Sequence, residues 1–206
     1  MSFARFAVMS SLGFVCAFAV AQQPVHTPPS PPSVPVAIAN GVTVEQEFIH
    51  KQFGEEFSLT PVSSPYTRDV DGDGVEDLVI VARSKKPMLD AAEHNYRVID
   101  PYYQFYGYGD PKLTVSFGSE DLTEKHLVIL VIHGAGAETW RAEKPKAKFV
   151  IINVPLKRLT VKRLQLRKKQ VNAIFAVEAD ASASDSVLFW DGKNYKYQPI
   201  GTNAVD

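Results

Sequence analysis

A single cysteine, Cys16, is the first thing to weigh, because with no partner in the chain an internal disulfide is excluded. Five histidines, at 26, 50, 94, 126 and 133, show no H-x-x-x-H pair and have no cysteine nearby at ligand spacing, so a zinc site has no support. Charge of one sign is also missing: 22 Lys and Arg stand against 23 Asp and Glu, giving a formal net charge of −1. No global field draws such a chain to nucleic acid, and no nucleic-acid motif is present. No repeat is visible at any period, which excludes a solenoid or a multi-blade array.

The N-terminal residues read as an export signal. Arg5 supplies a positive start, residues 6–20 form an apolar core, and Ala19-Val20-Ala21 fits the small-x-small cleavage rule. A retained anchor helix and a lipidated Cys16 are the alternatives. The run is short of the roughly 20 apolar residues that a span needs, and Val15 is not the small residue expected ahead of a lipidated cysteine. Residues 1–21 are therefore expected to be a signal peptide, with no stable membrane insertion after cleavage and a periplasmic or extracellular destination. Loss of Arg5 then takes the formal charge from −1 to −2. Outside the cell, with no disulfide, burial or a metal must hold the fold.

Residues 22–42 are expected to be a linker. Pro24, Pro28, Pro29, Pro31, Pro32 and Pro35 remove ladder donors and favour an extended polyproline spacer. Residues 43–206 are a suitable length for one domain. Thr43 and Gln46 fit a capping box, and Val44, Phe48, Ile49 and Phe53 recur at helical spacing before Gly54. Alternation at Phe57 and Leu59 and the apolar run 78–82 predict strands, as do 113–117, 127–132 and 149–154. Residues 168–179 fit both periods, and their alanines favour a helix. Asp191-Gly192 between alternating aromatics predicts a hairpin. The expected class is α+β, mainly antiparallel sheet with one or two short helices.

The densest chemical signal is "RDVDGDGVEDLVIVA", residues 68–82. Counting from Asp69 as position 1, carboxylates fall at 1, 3, 5 and 9, namely Asp69, Asp71, Asp73 and Asp77, with Gly74 at 6 and Val75 at 7. Alternate carboxylates converging across a glycine turn, with Val75 giving its carbonyl, are what a calcium ion of 6 to 8 oxygen ligands asks for. Without a cation, each close pair of carboxylates repels by roughly 1 kcal/mol or more at a protein surface. An EF-hand would need a bidentate glutamate at position 12, where Ile80 stands, and a following helix where β-branched residues continue instead. D-x-D-G-D-G-x-x-D followed by "LVIV" resembles the calcium loops of the FG-GAP and VCBS families over residues 57–83. That resemblance implies one structural calcium ion on a hairpin loop and a secreted protein engaged in adhesion or recognition. Those families close a propeller by repeating the blade, whereas this loop occurs once. The expected function is a calcium-stabilised, non-enzymatic recognition or scaffold module for an unknown extracellular or envelope ligand.

A second expectation competes with it. "LVILVIHGAGAETW", residues 127–140, is similar to the strand and oxyanion turn of the α/β-hydrolase family, which points to a small exported hydrolase with a site near His133. No G-x-S-x-G elbow and no later histidine follow, so the triad has no expected order. Two further stretches stand out. Five aromatics in residues 100–111 either pack on the sheet or form a sugar or peptide platform, and seven basic residues in 156–169 either line a solvated face or dock an anionic surface.

Overall fold

The structure is a computed structural model that describes residues 36–39, 42–107, 126–167, 169–178 and 186–200. The signal segment, the proline-rich stretch before residue 36 and the expected strand at 113–117 lie outside the described residues. Two strands, β1 (Val36–Ala39) and β2 (Val42–Glu45), form an antiparallel hairpin that leads into helix α1 (Gln46–Phe53). Thr43 therefore sits in a strand, and the capping box is not made: Glu45 is the N-cap and makes no side-chain bond there. Gln46 instead turns its amide to the chain beyond the helix, donating to the Phe57 carbonyl at 2.7 Å and accepting from the Leu59 N–H at 2.8 Å.

Among the described residues six strands make the central sheet. Their order is β3 (Ser58–Leu59), β5 (Asp77–Arg83), β7 (Leu127–His133), β8 (Ala147–Ile151) and β6 (Arg97–Ile99), while β4 (Tyr66–Arg68) pairs with β5 along the same edge as β3. Among the described strands only β6 with β8 is parallel. The unbroken apolar runs in β5 and β7 follow from burial on both faces. Val79, Val81, Ile129, Val131, Phe149 and Ile151 point to one core, and Leu78, Ile80, Val128, Leu130, Ile132 and Val150 to the other.

Ile49 and Phe53 of α1 close the second core. The first is closed by a four-stranded antiparallel meander, β9 (Arg158–Leu166), β10 (Lys169–Val177), β11 (Ser186–Trp190) and β12 (Tyr195–Pro199). Helix, sheet and sheet thus stack as three layers, antiparallel-rich and mostly strand, in line with the α+β class. Residues 169–177 are a strand where alanine content favoured a helix. Nine residue pairs with β9 and a second partner in β11 decide it, and Ile174 and Ala176 then face the first core. Asp191-Gly192 does turn the β11–β12 hairpin, with Asp191 Oδ1 accepting the N–H groups of Lys193 and Asn194 at 2.8 Å and Gly192 at φ 104°.

The aromatic stretch begins a short helix, α2 (Pro101–Phe105), whose cap Asp100 accepts the Tyr103 N–H and also the Asn153 amide. Tyr102 meets Tyr197 edge to face and packs against the first core, whereas Phe105 and Tyr106 stay about half exposed. In β9, Leu159 is buried and Arg158, Lys162 and Arg163 are exposed, as is Arg167 just beyond it, so the basic run is a solvated face over an apolar one. Among the described residues no helix is long and apolar enough to cross a membrane.

Two measurements check this architecture. Leu130→Ala, at a side chain with no exposure in the middle of β7, should lower the unfolding free energy by about 2–5 kcal/mol in urea titration; Leu89→Ala, at a residue 61% exposed, should change it by no more than about 0.5. Lys148 of β8 donates to the Gln52 carbonyl at 2.6 Å, and burial pushes its ammonium from the ordinary 10.5 down to about 8. Between those values the unfolded chain holds a proton that the folded chain has released, so stability rises with pH across that window. Lys148→Met should remove that rise when urea midpoints are compared from pH 8 to 10.5.

Candidate metal centre

Pairing of Arg68 with Asp77 closes the β4–β5 hairpin, and residues 69–76 are its loop. Gly72 and Gly74 take φ of 82° and 86°, a left-handed backbone that side-chain-bearing residues rarely adopt. Val70 between them and the strand is buried in the first core and anchors the loop's start. The acidic side chains then fold inward on the loop's own N–H groups. Asp69 Oδ1 accepts from Gly72 at 2.6 Å and Asp73 at 3.2 Å, and its Oδ2 accepts from Gly74 at 2.9 Å. Asp71 Oδ1 accepts from Asp73 at 3.1 Å, and Asp73 Oδ1 from Val75 at 2.8 Å. One carboxylate oxygen from each of Asp69, Asp71 and Asp73 falls within 4.8 Å of the other two.

Asp77 behaves differently. Its side chain has no exposure, and its oxygens accept the N–H groups of Val70 at 2.7 Å, Asp71 at 3.2 Å and Gly134 at 2.8 Å. Burial pushes this carboxyl up to about 7, against the pull of the three donors. The four acids named from spacing thus divide. Asp69, Asp71 and Asp73 gather as one group, and Asp77 lies with Asp71 and His133 in a second, more buried one. Val75 is held through its N–H by Asp73.

Four residues that the loop's own sequence does not disclose complete the site. Lys146, just ahead of β8, places its ammonium 2.6 Å from Asp71 Oδ2 and 2.6 Å from Asp73 Oδ2. Its hydrogen bond holds the Asp73 carboxyl below the ordinary carboxylate range. His133, the last residue of β7, has Nδ1 at 3.3 Å from Asp71 Oδ2 and Nε2 at 2.8 Å from the Tyr195 hydroxyl. Burial lowers His133 to about 4 and raises Tyr195 well above its usual value, so both are neutral near pH 7. One arrangement then satisfies the chain: the Tyr195 hydroxyl donates to Nε2, and Nδ1–H donates to Asp71. Phe149, Trp190 and Tyr195 ring the imidazole at 5.0 to 5.8 Å. Asn172 of β10 donates to the Asp69 carbonyl at 2.7 Å and ties the loop to the meander.

Gly134 sets the distance between loop and sheet. A Cβ there would lie 2.4 Å from the Glu76 carbonyl oxygen and 2.9 Å from the Trp140 nitrogen, so no side chain fits. Its N–H, the one an oxyanion turn would offer to a substrate, is committed to Asp77. His133 is 1% exposed, with both ring nitrogens engaged.

Chemically, the outer group offers hard oxygen ligands and a surplus of negative charge. Asp69, Asp71 and Asp73 face one ammonium, that of Lys146, and a neutral His133. Such a set suits an oxygen-seeking divalent cation rather than zinc or copper. Comparison with protein-family models, with curated proteins and with solved structures gives no match to this chain.

Asp77→Ala should lower the unfolding free energy by about 3 kcal/mol or more in chelator-treated buffer, since each buried N–H left without an acceptor costs about 1–3 kcal/mol. Denaturant titration reads it directly, and Asp77→Asn, which keeps an acceptor oxygen, should lose less.

Proposed function

We propose that the chain is an exported, calcium-stabilised, non-enzymatic recognition or scaffold module acting on an extracellular or envelope ligand. The observation that carries the reading is the convergence of Asp69, Asp71 and Asp73 on a glycine-turned hairpin loop at the end of a buried strand. The likeness of the loop's spacing to FG-GAP and VCBS calcium loops supports the choice of ion. The apolar leader, ending in Ala19-Val20-Ala21, supports export, and the proline-rich stretch after it supports a role held at a distance from whatever precedes it. In this reading Asp69, Asp71 and Asp73 hold the ion, with Val75 adding its carbonyl, and Asp77 shapes the loop from beneath. The ion is structural. It offsets carboxylate repulsion and so fixes the hairpin against the end of β7.

The test is a thermal melt in chelator and again at about 1 mM calcium, a level suited to extracellular sites. Ion at 100 times its dissociation constant stabilises by about 2.7 kcal/mol, which should appear as a rise of several degrees. Asp73→Ala and Asp71→Ala should lower the melting temperature in calcium and abolish the response. Asp73 is the cleaner position, because Asp71 also holds His133. If both variants melt and respond as the parent does, the reading is wrong.

A further inference from the structure

The acidic loop already carries a cation, and it comes from the protein. Lys146 lies more than seventy positions along the chain from the two carboxylates it touches, and it takes the same oxygen of each, Asp71 Oδ2 and Asp73 Oδ2, at 2.6 Å. The other oxygen of each carboxylate is engaged by the loop's own N–H groups. The ammonium therefore sits on the oxygens that the loop backbone leaves open to an ion, Asp73 Oδ2 held by it alone and Asp71 Oδ2 shared with His133 Nδ1. We propose that Lys146 is the loop's built-in counter-ion, and that a divalent cation enters by displacing its ammonium; this rests on the loop being a cation site, as proposed above.

Displacement needs a fixed backbone and a head group open to water, and Lys146 has both. The Lys146 backbone is fixed, its N–H donating to the His133 carbonyl at 3.0 Å, and Pro145 before it restricts the chain. Its side chain is 49% exposed, so the head group can swing into water without opening a hole in the core. Asp69 makes no bond to Lys146 among those described, and its two oxygens are left to the loop backbone. The lysine thus balances part of the charge and leaves the rest. Two consequences follow. In the absence of metal, Lys146 keeps the hairpin closed; in its presence, Lys146 weakens the ion's hold, because one unit of positive charge must be moved away from ligands that the ion needs.

Calorimetric titration of chelator-stripped protein with calcium chloride tests this, using wild type, Lys146→Met, Lys146→Gln and Lys144→Met. Lys144 is an exposed neighbour and matches the change in net charge. Both Lys146 variants should bind calcium about tenfold tighter or more, on the scale of a unit charge a few ångströms from a divalent ion, while Lys144→Met should match wild type. In chelator the Lys146 variants should melt below wild type, and calcium should close the gap. Equal affinity in wild type and both Lys146 variants, or an equal gain in Lys144→Met, overturns the displacement and leaves the calcium reading standing. Binding by the Lys146 variants with none by wild type upholds Lys146 as the resident cation and overturns the calcium reading for the natural chain. Absence of binding in all four proteins overturns both.

Discussion

Five carboxylates within nine residues, Asp69 to Asp77, have to be held beside a hydrophobic core, and much of the molecule is arranged around that constraint. Asp77 is taken inside and given three N–H donors, one of them from the far side of β7. Asp71 is buried against His133, which passes the contact on to Tyr195 of β12. Asp69 is wrapped by its own loop, whose backbone is fastened to β10 through Asn172. Asp77 and Asp71 thereby tie the hairpin to the end of β7, and the Asp69 carbonyl ties it to β10. The loop is the joint at which the central sheet and the meander are fastened at one end, not an appendage of one edge.

This joint is polar, and the two cores on either side of the sheet are not. Burial of β5, β7 and β8 on both faces supplies most of the favourable free energy, but burial is indifferent to small shifts of one layer over the next. Directional bonds from Asp77 to Gly134 and from His133 to Tyr195 fix the register that the apolar layers leave open. The same arrangement makes the site sensitive: a partly satisfied polar network beside a core costs more than none. In a chain that can form no internal disulfide, these bonds do the work of a covalent staple.

Local signals in the sequence translated well into structure. The run at 127–132 is a strand and that at 149–154 is one as far as Ile151, because continuous hydrophobicity suits a two-faced sheet, and Asp191-Gly192 is a turn because its neighbours alternate. Convergence of Asp69, Asp71 and Asp73 was legible for the same reason, since the spacing alone places them together. Failures came where a distant partner decides. Thr43 fits a helix cap until β1 pairs with its segment, and residues 169–177 fit a helix until β9 and β11 flank them. The inward turn of Asp77 depends on Gly134, and the placement of Lys146 depends on where β8 begins. Nothing within a few residues of either carries that information. His133 did stand out, next to a glycine turn, but its neighbours on both sides are contributed by the loop and by β12.

The order of the strands along the chain has a consequence for how the molecule is assembled. From β9 to β12 each strand pairs with the next, so the meander needs only contacts close in sequence and can form quickly. In the central sheet β6 is made before β7 yet pairs with β8, and it must wait for the chain to return. The fastenings of the acidic loop wait longest, because Asn172 and Tyr195 are among the later residues to leave the ribosome, 103 positions beyond Asp69 and 62 beyond His133 respectively. The loop's own N–H groups can hold Asp69 and Asp73 as soon as the hairpin forms, whereas its ties to β10 and β12 form only when those strands arrive.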